Sequence, residues 1–70
     1  MPKLPGISNR QAIRAFEKVG FRVVRQRKHT VMTDGKRIIV IPWANSINAF
    51  TMAGIIDDAG LTIEQFKELL

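Results

Sequence analysis

The chain contains one histidine, His29, set in the run Arg25-Gln26-Arg27-Lys28-His29-Thr30, and no cysteine. A neutral imidazole near pH 7 can take the proton from a ribose 2′-hydroxyl, while neighbouring Lys and Arg stabilise the charge building on the adjacent phosphate. Together these residue types point to RNA cleavage without a metal, with solvent protonating the leaving oxygen at a modest rate. The same histidine has a plainer reading, because a lone imidazole in a small domain more often caps a carbonyl or sits on the surface than reacts. Other chemistries find less support. Without cysteine there is no disulfide, thiolate ligand or thiol nucleophile. One histidine cannot build a histidine-rich zinc site. Asp57 and Asp58 are adjacent and would leave a helix in different directions, against a paired-carboxylate mechanism. Ser8 and Ser46 stand outside any nucleophile-elbow motif, and the glycines form no phosphate-cradling loop. No metal or cofactor is expected.

Charge narrows the partner. Eleven Lys and Arg against six Asp and Glu give a formal charge of +5. That excess suits a polyanion, nucleic acid first, and is equally compatible with a role in solubility alone. Arg10, Arg14, Lys18, Arg22, Arg25, Arg27, Lys28, Lys36 and Arg37 all fall between residues 10 and 37, so any anion-binding face belongs to the first half. Arg25, Arg27, Lys28, Lys36 and Arg37 are the expected RNA contacts. At 46% hydrophobic and 24% charged, the 70 residues read as one small folded domain, not a disordered tail. The longest apolar run, Ile38 to Ala44, contains Pro42 and is far shorter than the ~20 residues of a membrane span. Met1 to Gly6 lacks the apolar segment of a signal peptide, and a cytoplasmic location is expected.

Three strands and three helices would have to position these groups. Pro2, Pro5 and Gly6 form an extended lead-in. Ser8 and Gln11 make a capping-box pattern, and Ala12, Ile13, Phe16 and Val19 recur at helical spacing, predicting a helix over 9–19 that Gly20 ends. Arg10, Arg14 and Lys18 form one stripe of that helix, read as a solvated face. Phe21 to Gln26 and Lys28 to Thr33 read as strands. Asp34-Gly35 predicts a two-residue type I′ turn, and Lys36 to Ile41 a third strand.

With that turn, Thr33 pairs with Lys36, Val31 with Ile38 and His29 with Val40 on one face. Thr30, Met32, Arg37, Ile39 and Ile41 occupy the other. Ile38 to Ile41 is apolar on both faces, so one side of the sheet should await a partner. Ile39, Ile41 and the adjoining Trp43 are its expected contacts. A helix from about Asn48 to Gly60, with Met52, Ile55, Ile56 and Ala59 on one face, is followed by a short helix capped by Thr62 and Gln65. The order predicts an α+β domain over 1–70, with helices on one face of a three-stranded antiparallel sheet, as in double-stranded RNA-binding domains.

Leu4-Pro5, Val19-Gly20-Phe21, Arg25-Gln26-Arg27-Lys28-His29, Asp34-Gly35, Ile41-Pro42 and Asp58-Ala59-Gly60-Leu61-Thr62, in this order, resemble the HicA toxins, also called the YcfA-like family. The resemblance covers nearly the whole chain. It implies a double-stranded-RNA-binding-like fold, mRNA cleavage by a strand histidine that falls here on His29, and a cognate HicB antitoxin covering the active site. Arg27-Lys28 stands where members commonly have Gly-Ser, and Trp43 where many have a basic residue or histidine. The alternatives are a non-catalytic RNA-binding module and a protein-interaction domain. Only the enzyme reading gives His29 a reason for its place, and the sheet lacks the aromatic pair of a single-strand stacking platform.

Overall fold

The computed structural model describes residue 4 and residues 6–70. Met1, Pro2, Lys3 and Pro5, and with them the expected lead-in, lie outside the described residues. Helix α1 (Asn9–Glu17) begins as its local sequence demands. The Ser8 hydroxyl accepts from the Gln11 amide at 3.1 Å, and the Gln11 side chain accepts from the Ser8 amide at 3.0 Å. This reciprocal pair satisfies donors that the first helical turn leaves free. The helix ends two residues earlier than predicted. Its last turn tightens, with the Lys18 and Val19 amides donating to the Ala15 and Phe16 carbonyls. Gly20, at φ 98°, then lets the Phe21 amide return to the Phe16 carbonyl.

Strands β1 (Arg22–Gln26), β2 (His29–Thr33) and β3 (Ile38–Pro42) form an antiparallel sheet in that order. Helices α2 (Ala49–Asp58) and α3 (Ile63–Glu68) follow, the first capped by Asn48 and the second by the Thr62 and Gln65 box. The molecule is therefore α+β, with a three-stranded antiparallel sheet carrying its helices on one face.

Two expectations are corrected here. The β2–β3 connection is a four-residue loop, so His29 pairs with Pro42, Val31 with Val40 and Thr33 with Ile38. Gly35 has φ 97°, but Asp34 does not take the positive φ that a type I′ turn needs at both positions. Instead the Asp34 carboxylate accepts from the Arg37 and Lys36 amides at 2.7 and 2.9 Å, and the Thr33 hydroxyl donates to the Arg37 carbonyl at 2.7 Å. These bonds stabilise the longer loop and move the register by two residues, which leaves the division of faces unchanged.

The second correction concerns which face is covered. Thr30, Met32, Ile39 and Ile41 are buried, with Ile39 1% and Ile41 0% exposed, so neither isoleucine offers a partner contact. They join Phe16, Met52, Ile56 and Phe66 in one core. The open face carries Val31, Ile38 and Val40, with Ile38 67% and Val40 47% exposed. The choice has a physical cause. Covering the other side would bury His29 and the arginines of β1 without partners, whereas this side buries of the sheet's polar groups only the Thr30 hydroxyl, which accepts from the Asn9 amide group at 3.2 Å, while Gln26 at its edge stays exposed.

The Asp34 loop carries a pH signature. Amide donation from Arg37, then Lys36, holds its carboxyl below the ordinary aspartate value. A depressed native pKa contributes stability above the unfolded value, and that contribution is lost as pH falls through the native one. The Lys36 and Arg37 amide shifts should therefore titrate with a midpoint below the ~3.9 of a free aspartate. A midpoint at or above that value would contradict the loop's hydrogen bonding.

Candidate functional site

His29 opens β2 immediately after the Arg27–Lys28 turn, which the Arg27 amide closes onto the His29 carbonyl at 3.2 Å. Its side chain is exposed, on the open face of the sheet, opposite Pro42. Beside it lies an open cleft of about 330 Å³ lined by Arg25, Arg27, Lys28, His29, Val31 and Val40. The cleft thus joins three cations and an imidazole on a floor of two valines.

A bulge in β1 gives Arg25 its place. The pairing passes from Val23↔Met32 to Arg25↔Val31, leaving Val24 unpaired. Strict alternation from Arg22 would put Val24 on the open face and turn Arg25 away. The extra residue resets the alternation, so Arg22 and Arg25 both stand on the side of His29. Arg22, which was not among the expected RNA contacts, is therefore a further cation of this face.

The other expected contacts are placed elsewhere. Lys36 and Arg37 lie beyond the far end of β2, at least ~13 Å along the strand from His29. Arg37 is moreover engaged: its guanidinium donates to the Asp58 carbonyl at 3.5 Å and lies over Gly60, where an added Cβ would come within 2.8 Å of it. A cation at the C-terminal end of α2 complements the helix dipole, so Arg37 serves the fold. Lys18 likewise donates to the Leu69 carbonyl at 2.7 Å, while Arg10 and Arg14 of the same stripe stay exposed.

Trp43 is absent from the His29 cleft lining and 53% exposed, with its indole N–H donating to the Arg27 carbonyl at 2.9 Å. It thereby holds the turn that precedes His29. Beneath the same end of the sheet, the Asn9 amide group also donates to the Pro42 carbonyl at 3.0 Å, which ties α1, β2 and β3 together where the histidine stands. Asn9 and Thr30 were missed as positioning residues. A signal existed, because Asn9 precedes Ala12 and Phe16 on the apolar stripe of α1, and a polar side chain there must find a buried partner.

Among the described residues, no group of three or more metal-ligating side chains is brought together, and no helix is long and apolar enough to cross a membrane. Comparison of the chain with family models, curated proteins and solved structures gives no match.

Proposed function

We propose that this chain is a HicA-type toxin, an endoribonuclease of double-stranded-RNA-binding-like fold that cleaves mRNA in the cytoplasm. The observation that supports it is the convergence of Arg25, Arg27, Lys28 and His29 on one open cleft, which the sequence spacing alone did not require. Neutral His29 takes the proton from a ribose 2′-hydroxyl, and the resulting oxygen attacks the adjacent phosphorus. The bond to the 5′ oxygen breaks, solvent protonates that oxygen, and the products are a cyclic 2′,3′-phosphate and a 5′-hydroxyl. Arg25, Arg27 and Lys28 offset the charge that accumulates on the phosphoryl oxygens. A HicB-type antitoxin with an acidic surface would cover the same cleft, seated on Val31, Ile38 and Val40.

Purified protein incubated with RNA in EDTA tests the chemistry. Cleavage should persist, the products should carry cyclic phosphate ends, and the all-deoxy form of the substrate should stay intact. RNA that is bound in a salt-dependent way yet remains whole would replace the enzyme with a binding module. Cleavage that EDTA abolishes would replace the histidine mechanism.

A further inference from the structure

On the opposite side of the Arg27–Lys28 turn from His29, Trp43 borders two adjoining clefts of about 510 and 420 Å³, both of which also take in Asn9 and Arg10. Each is within the usual size of a small-ligand site. Phe16, Phe21 and Phe66 are buried, whereas Trp43 is 53% and Phe50 73% exposed, and of these two exposed rings it is Trp43 that borders the clefts. The indole N–H donates to the Arg27 carbonyl at 2.9 Å, a bond that favours one ring orientation before anything binds. Arg10 and Arg14, one helical turn apart on α1, line the second cleft, as does Glu17, about one turn further along the helix.

We propose that Trp43 and Arg10 form a subsite for an unpaired nucleotide of a single strand, its base stacked on the indole and its phosphate on the guanidinium. Arg14 extends the phosphate path, and Glu17 ends it by repulsion. The subsite rests on the RNA-cleaving role of His29 for its purpose and on its own geometry for its existence. His29 pairs with Pro42, the residue before Trp43, so the two α-carbons are within ~10 Å, the length of about three stacked nucleotides. A strand crossing the rim formed by the Arg27–Lys28 turn reaches both. Stacking reads no sequence, because every base presents a π-face, so the subsite selects for unpaired strands over duplex. An acidic protein segment would match the arginines but gives no use to an exposed indole.

The test uses the whole chain and a single-stranded deoxyribonucleotide hexamer, which has no 2′-hydroxyl and cannot be cleaved. The hexamer should quench the emission of the sole tryptophan, and its duplex form should do so far less. Trp43→Leu should weaken hexamer binding about 5- to 150-fold, while Trp43→Phe, which keeps a ring and loses the N–H, should retain most of it. Arg10→Gln should lower the salt dependence of binding by about one phosphate contact. Circular dichroism separates loss of binding from loss of fold. Absence of quenching, equal quenching by tripolyphosphate, or quenching by polyglutamate but not by the hexamer would each overturn the subsite. Quenching by the hexamer in a protein that leaves RNA intact would uphold the subsite and refute the nuclease. RNA cleavage with hexamer binding indifferent to Trp43 would do the reverse.

Discussion

Cells induced to make this protein alone should stop growing, and cells making His29→Ala should not. General acid–base catalysis by one side chain contributes about 10²- to 10⁴-fold, and no second histidine or cysteine can substitute near neutral pH. RNA cleavage by the purified variant should fall by that factor. The fold should survive, because the imidazole is exposed and surface substitutions change stability by about 0.5 kcal/mol or less. The variant should also keep its affinity for RNA, since Arg25, Arg27 and Lys28 remain in the cleft. Binding kept and cleavage lost would separate a chemical role for His29 from a structural one. A folded His29→Ala protein that still degrades RNA would remove the histidine from the mechanism.

Local determinants were legible in the sequence, and those set by partners distant in sequence were not. Both capping boxes could be read because each is closed within three residues, and each forms as written. The hairpin's position was legible for the same reason. Its register was not, because it depends on whether Asp34 adopts positive φ or turns its carboxylate onto the Lys36 and Arg37 amides, and both suit Asp-Gly. The faces survived the error only because the shift was even. Burial could not be read from β3, where Ile38, Ile39, Val40 and Ile41 are apolar on both sides. The deciding residues were on β1 and β2, where His29, Arg22 and Arg25 resist burial. The Val24 bulge that places Arg25 there has no local sign, since Val23 and Val24 suit a regular strand equally. Candidate residues were thus readable as types, but their assembly into one cleft depended on a bulge and a buried Asn9–Thr30 bond that tie distant segments together.

Ile38 and Ile39 are neighbours of the same residue type with opposite expected behaviour, and that contrast tests the covered face directly. Ile39→Ala removes a side chain 1% exposed from the core. Such truncations cost about 2–5 kcal/mol, whereas a domain of this length has about 3.5–10 kcal/mol in all. At ~4–8 °C per kcal/mol, the melting temperature should fall by roughly 10 °C or more, or the domain should not fold. Ile38→Ala removes a side chain 67% exposed and should shift melting by only a few degrees. Binding should divide the other way. If the antitoxin seats on Val31, Ile38 and Val40, a charge in place of the most exposed of the three must be desolvated without a partner, so Ile38→Asp should weaken the complex by at least an order of magnitude in a folded protein. Protection of amides 29–33 and 38–41 by the antitoxin should disappear in the same variant. A complex that tolerates Ile38→Asp, with the fold intact, would move the antitoxin off the open face, and inhibition would then have to reach His29 from the Arg27–Lys28 rim.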